Sequence, residues 1–197
     1  MLNILLTGVG GQGTVLASRM IANAAIARGE TAHTAETIGM AQRGGCVVSH
    51  VRIGEDAYSP LIPKHEADVI IGFEPGEAVR ALPWLKRGGT MIVSSAAVQP
   101  VTDALGDSSY HGEDMVSFLK TRDARLILID GAEVIRRCSA KVLNVALLGA
   151  AAKAGVIGVT SDELRAVIEH LNPKFRESNL QALELGESFV ERRQQSC

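Results

Sequence analysis

The residues with the clearest chemical potential stand at the start of the chain, in Leu5-Leu6-Thr7-Gly8-Val9-Gly10-Gly11-Gln12-Gly13. The spacing Gly8-x-Gly10-x-x-Gly13 is that of a phosphate-cradling turn between a strand and a helix. Glycine permits the tight turn, lets an anion approach the bare backbone and lets helix pack closely on strand. Unpaired N–H groups and the positive end of the helix dipole favour negative charge at the same place. Gly8, Gly10, Gly11, Gln12 and Gly13 are therefore candidate binding residues. The chemistry they suggest is the docking of a phosphorylated molecule.

A second unusual stretch runs from Glu36 through Gly39-Met40-Ala41-Gln42-Arg43-Gly44-Gly45. It follows the second predicted strand, so it is expected at the same sheet edge, where open α/β sheets bind ligands. Gln42, Arg43, Gly44 and Gly45 join the candidate set. Arg43 reads either as a bidentate anion clamp or as a solvated arginine on a surface loop. Glu36 ends the second strand, where a dinucleotide fold keeps the acid that holds a ribose hydroxyl. An acid at a strand end is also common without that role. Glu74, in Phe73-Glu74-Pro75, reads either as an acid pointing into the crevice or, the favoured reading, as a complement to a helix N-terminus. The histidines His33, His50, His65, His111 and His170 are scattered, without metal-ligand spacing. No nucleophile elbow, P-loop lysine or carboxylate pair stands out. No catalytic residue is assigned. A binding crevice without a catalytic set suggests a subunit whose chemistry a partner completes.

These residues need elements to position them. Leu2–Thr7 reads as a strand and Gln12–Arg28 as a helix with Leu16, Met20, Ala24 and Ala27 on one face. Gly29 stops it, and Thr31–Glu36 forms the next strand. Such a β-α-β unit implies parallel pairing and a right-handed crossover. Cys46–Ile53 alternates, with Val47, Val51 and Ile53 on one face and His50 and Arg52 on a wetter one. Strands follow at Asp68–Phe73, Thr90–Ser94 and Arg125–Ile129. Helices are expected from Pro75 to Leu85, Met115 to Arg122, Ala140 to Ala154 and Lys174 to Arg193. One more ends near Leu171, with Thr160 and Glu163 forming a capping box and Val159 and Leu164 a hydrophobic staple. Residues 98–113 show no clear period. The fold class is α/β: a three-layer, mostly parallel, Rossmann-like sheet in one domain, 1–197.

Bulk properties narrow the function classes. A chain of 197 residues suits one domain that needs no metal or disulfide to fold. A formal net charge of −2 argues against nucleic acid as a partner. Cys46, Cys138 and Cys197 are few and far apart, so an iron–sulfur cluster or zinc site held by this chain alone is not expected. That usage fits a reducing cytoplasm. No signal peptide or membrane span is expected.

The ordered motifs Gly8 to Gly13, Gly39 to Gly45, Ser49-His50-Val51-Arg52-Ile53-Gly54, Tyr58-Ser59-Pro60-Leu61-Ile62, Ala67-Asp68 and Phe73-Glu74-Pro75 resemble the gamma-type domain of 2-oxoacid:ferredoxin oxidoreductases. The Gln-Arg-Gly-Gly form and the length look most like the beta subunit of the indolepyruvate-specific enzymes. The resemblance implies an enzyme complex that oxidatively decarboxylates a 2-oxoacid with coenzyme A, giving an acyl-CoA, carbon dioxide and reduced ferredoxin. It further implies thiamine diphosphate, magnesium and iron–sulfur clusters on a large partner subunit, and a gamma-type domain that helps enclose coenzyme A. The turn Gly10–Gly13 and the loop Gln42–Gly45 would then face cofactor or partner. On its own the chain is expected to be inactive and to self-associate as a homodimer. Two other readings remain open: a stand-alone NAD(P)-binding oxidoreductase, and an assembly module that binds nothing.

Overall fold

The apolar run at the start of the chain forms the middle of β1 (Leu2–Val9), with Ile4, Leu5 and Leu6 fully inaccessible to solvent. The computed structural model describes residues 1–38, 45–99, 110–171 and 173–195. Around β1 assemble β2 (Ala32–Ile38), β3 (Cys46–Ile53), β4 (Ala67–Gly72), β5 (Leu85–Ser94) and β6 (Arg125–Ile129). Their order is β2-β3-β1-β4-β5-β6, with parallel pairing from β1 through β6. The sheet lies between two helical layers, as the α/β fold class requires.

The first β-α-β unit differs from expectation. β2 does not pair with β1. β3 sits between them and runs antiparallel to both, with Val9 opposite Cys46 and Glu36 opposite Ser49. The connection from β2 to β3 is too short for a crossover, so β3 must return antiparallel. Its apolar residues Val47, Val51 and Ile53 then make it an interior strand and push β2 to the edge.

One face of the sheet, with Ile4, Leu6, Val51, Ile71 and Ile92, packs on α1 (Thr14–Ala27), α5 (Leu143–Lys153), α6 (Ser161–Glu169) and α7 (Pro173–Gln195). The other face, with Leu5, Ile70, Met91 and Val93, packs on α2 (Pro75–Ala81) and α3 (Gly112–Lys120). The stripe that α1 buries is Ala17, Met20, Ile21, Ala24 and Ala25, whereas Leu16 and Ala27 point outward. Met20 and Ala24 lie on the buried face as expected, the two ends of the expected stripe do not, and the helix begins at Thr14 rather than Gln12. Helix α5 is buried all round, from Leu143 to Ala152. It crosses α7 at two reciprocal glycines: Gly149 meets the backbone of Leu183, and Gly186 meets that of Ala146. A side chain at either would force the helices apart.

The capping box at α6 forms as expected: Thr160 accepts from the Glu163 amide at 3.2 Å, and the Glu163 carboxylate accepts from the Thr160 amide at 2.7 Å. Val159 and Leu164 are buried in one cluster. Helix α4 (Gly131–Arg137) was not expected; its signal is Asp130 at the N-cap, accepting from the Glu133 amide at 2.9 Å. The polar face of β3 is also drier than alternation suggests. His50 and Arg52 are 5% and 8% exposed because residues 55–63 fold back across them.

Candidate binding rim at the carboxyl edge of the sheet

Strands β1 and β4 are parallel neighbours whose following helices, α1 and α2, lie on opposite faces of the sheet, and the carboxyl ends of such a pair are the place where α/β sheets take ligands. The glycine turn forms one bank. Gly11 and Gly13 have φ of 99° and 80°, values that disfavour any side chain. Gly13 stands at the N-cap of α1, where it has no side chain with which to cap the helix. The amides of Gly11, Gly13, Thr14 and Val15 donate to no acceptor among the described residues, and nothing lies within 4 Å of a side chain built on Gly11. Among the described residues nothing covers this bank, and its amides suit an anion.

Gln12 has a different role from its neighbours. Its Oε1 accepts from the Val9 amide at 2.7 Å, and its Nε2 donates to the Phe73 carbonyl at 3.1 Å. It ties the turn after β1 to the end of β4 across the crevice floor. Gly8 makes room for it: a Cβ there would lie 2.7 Å from Gln12 Oε1 and 3.0 Å from Phe73 Cβ. Gln12 and Gly8 therefore shape the turn from within. The third support is Asn144 of α5, 2% exposed, whose Nδ2 donates to the Gly13 carbonyl at 3.3 Å. Sequence reasoning missed Asn144, although a lone amide in an otherwise apolar helix is a legible signal.

The second stretch reaches the same rim through its last residue. The Gly10 amide donates to the Gly45 carbonyl at 2.9 Å. Gln42, Arg43 and Gly44 lie outside the described residues. Glu36 is elsewhere. It sits on the edge strand, separated from β1 by β3, and its Oε1 lies 3.7 Å from Arg19 Nε on α1. A ribose-holding acid needs its strand beside the glycine strand, so the geometric reason for that role is gone.

The other bank is the start of α2. Glu74, 3% exposed, caps this helix by accepting from the Glu77 amide at 2.9 Å, and it also accepts from the Tyr110 hydroxyl. The Gly76 amide donates to the Tyr110 oxygen at 3.0 Å. Burial and the Glu74 carboxylate raise the Tyr110 phenol well above its ordinary value. The expected structural role of Glu74 is thus seen. Tyr110 carried no sequence signal.

Between the banks, Cys46 opens β3. Partial burial of its sulfur, and next the Glu77 carboxylate beside it, push the thiol up to about 12. Glu77 lies 3.2 Å from Arg80 through Oε1, and its buried Oε2 has no hydrogen-bond partner among the described residues. The described rim thus offers backbone amides, two carboxylates and a protonated thiol. Arg80, paired with Glu77 and exposed over 73% of its side chain, brings a cation to this rim. Among the described residues, no group of His, Cys, Asp and Glu is placed to hold a metal, and no helix is long and apolar enough to cross a membrane.

Comparison with known proteins fits this architecture. The profile of one family, pyruvate ferredoxin/flavodoxin oxidoreductase, matches residues 3–189. The chain belongs to the pyruvate ferredoxin/flavodoxin oxidoreductase family. It is 34% identical to the indolepyruvate oxidoreductase subunit IorB of Thermococcus kodakarensis, over 93% of each chain. It is 36% identical to the IorB of Archaeoglobus fulgidus, over 94% of this chain and 93% of that one. The pyruvate/ketoisovalerate oxidoreductases common subunit gamma of Thermococcus litoralis is 28% identical over 83% of each. Among solved structures, the gamma subunit of a keto/oxoacid ferredoxin oxidoreductase from Geobacter sulfurreducens superposes with a TM-score of 0.74 at 21% identity, covering 98% and 99% of the two chains. A 2-oxoglutarate:ferredoxin oxidoreductase from Magnetococcus marinus gives 0.73 at 19% identity. It covers 97% of this chain but 31% of that one, where this family's fold is one part of a longer polypeptide.

Proposed function

We propose that this chain is the gamma-type subunit of a 2-oxoacid:ferredoxin oxidoreductase whose substrate is indolepyruvate or a related arylpyruvate. In this reading a large partner subunit carries thiamine diphosphate, magnesium and the iron–sulfur clusters. The complex converts 2-oxoacid and coenzyme A into acyl-CoA and carbon dioxide and passes the electrons to ferredoxin in the cytoplasm. The observation that carries it is the end-to-end likeness to IorB subunits, 34% identical over 93% of both chains.

The geometry supports a non-catalytic but required role. At the rim, Gln12 is engaged in the turn and Glu74 in a helix cap, and the Cys46 thiol is held protonated. The exposed parts are glycines and amides, which suit contact with a phosphate or with another chain. The residues fit no iron–sulfur cluster, since the described cysteines are Cys46 on β3 and Cys138 after α4. They fit a phosphate group of coenzyme A at Gly11, Gly13 and the first turn of α1. Thiamine diphosphate, when bound to the partner, supplies the carbanion chemistry.

Co-expression with the large subunit tests the proposal. Indolepyruvate-dependent, coenzyme A-dependent reduction of a viologen dye is expected only when both chains are present. Turnover by the isolated chain, or full activity of the partner without it, would refute the proposal. Micromolar binding of NADH to the isolated chain in calorimetry would instead favour the dinucleotide reading, from which the displacement of Glu36 removes support.

A further inference from the structure

We propose that the segment over β3, residues 55–63, is a pH-sensitive latch: the neutral His50 imidazole holds it on the sheet, and protonation of His50 releases it at Ile62. The segment leaves β3 at its end and runs back across the face it has just made. Two side chains of β3 fasten it. Arg52 Nη1 donates to the carbonyls of Ser59 and Leu61, at 2.7 and 3.4 Å. His50 Nδ1 accepts from the Ile62 amide at 3.2 Å. The arginine grips through N–H donors alone. The histidine does not.

A protonated imidazole is a donor at both nitrogens. Once His50 takes up a proton, the Ile62 N–H faces another N–H, and a buried amide loses its acceptor. Both partners are withdrawn from solvent: His50 is 5% exposed and Ile62 3%. Ile62 belongs to the buried apolar cluster that includes Leu5 and Ile70, so loss of the amide bond also loosens an apolar anchor. The outer side of the segment carries Tyr58 and Leu61, 96% and 53% exposed, and release would rearrange that surface.

The ionisable groups on this face do not hold the proton on His50. Arg52 is bonded to Asn3 Oδ1 and the segment's carbonyls. His33 lies across from Arg52 on β2. Asp68 of β4 binds Lys86, Glu77 of α2 binds Arg80, and Lys64 lies over the Trp84 ring. Burial alone pushes the imidazole below its ordinary value. The latch is therefore shut at neutral pH and opens as pH falls.

Amide exchange by NMR on the full-length chain tests this. After correction for intrinsic rates, opening at Ile62 is expected to rise tenfold or more between pH 7.5 and 5.0. The ceiling is about thirtyfold, set by an ordinary imidazole near 6.5 in the open state. Ile70 in β4, which opens only when the chain unfolds, should be protected far better than Ile62 at every pH. His50→Asn, which keeps an acceptor near the Nδ1 position and does not titrate, should flatten the response. A pH-independent Ile62, protection at Ile62 equal to that at Ile70 throughout, or an unchanged response in His50→Asn would overturn the latch. If that variant does not fold, the comparison of Ile62 with Ile70 in the parent decides alone, with the His50 ring shift followed over the same range.

Discussion

Gln12 shows how one side chain can decide whether a glycine turn has a shape at all. It makes two hydrogen bonds, one within the turn and one to the neighbouring strand's end. Each is worth about 1 kcal/mol, so Gln12→Ala is expected to lower stability by about 2 kcal/mol in urea titration. Gly8→Ala should cost about 1–3 kcal/mol by overpacking against Gln12 Oε1 and Phe73. Because part of that clash is with Gln12 itself, the double variant should cost less than the sum of the singles. Strict additivity would mean that the two residues do not share the turn. Cys46 makes a second prediction. Its thiol, pushed up to about 12, holds almost no thiolate at neutral pH although the residue is exposed. Alkylation at pH 7.4 is expected to be about a hundredfold slower than that of an ordinary peptide thiol, and to accelerate steadily up to alkaline pH. A reaction as fast as the peptide's would show that Glu77 and burial do not protect it.

Secondary elements here meet at distances that only glycine allows. Where α5 crosses α7, Gly186 touches the Ala146 backbone, which cannot rotate out of the way as a side chain could. Gly186→Ala is expected to destabilise the chain by about 3 kcal/mol or more. Gly11→Ala meets open space and has only its backbone conformation, φ 99°, against it, about 1–2 kcal/mol. Thermal or urea unfolding of the two variants separates packing from conformational strain. It also yields a folded variant in which the open bank of the rim is altered. The α6 cap is a third case: Thr160→Ala should cost about 1 kcal/mol, measured the same way.

Across the molecule, acid should act in two stages. The folded pKa of His50 lies below its unfolded value. The unfolded state therefore binds the proton first, and stability is lost as pH falls from about 6.5 toward the folded value, by at most about 2 kcal/mol at pH 5. Glu133 and Glu163 are also depressed. Hydrogen bonds from Arg137 and Arg192 lower the first, and the Thr160 amide followed by Arg28 lowers the second. Their contribution is present above the ordinary carboxylate range and disappears below it. Urea midpoints recorded from pH 8 to 3 should fall in two steps. The upper step alone should vanish in His50→Asn. A single step below pH 4.5 would remove His50 from the account.

Much of this was readable from local pattern. The strand-glycine-helix order at the N-terminus, Pro75 opening a helix and the Thr160 capping box depend on neighbours within a few residues, and all three stand in the fold. The family likeness was readable for a similar reason, since glycines needed for turns and close approaches recur at fixed spacing. What no local pattern contained was the partner of each element. Whether β2 or β3 lies beside β1 depends on which strand can bury both faces, and that choice moved Glu36 from the crevice to an edge. The roles of Gln12, Asn144 and Tyr110 depend on acceptors 61, 131 and 36 residues away in the chain. Hydrogen bonds of that span exist only after the sheet and both helical layers have closed. Periodicity reports which face of an element is apolar, and packing alone chooses what that face meets.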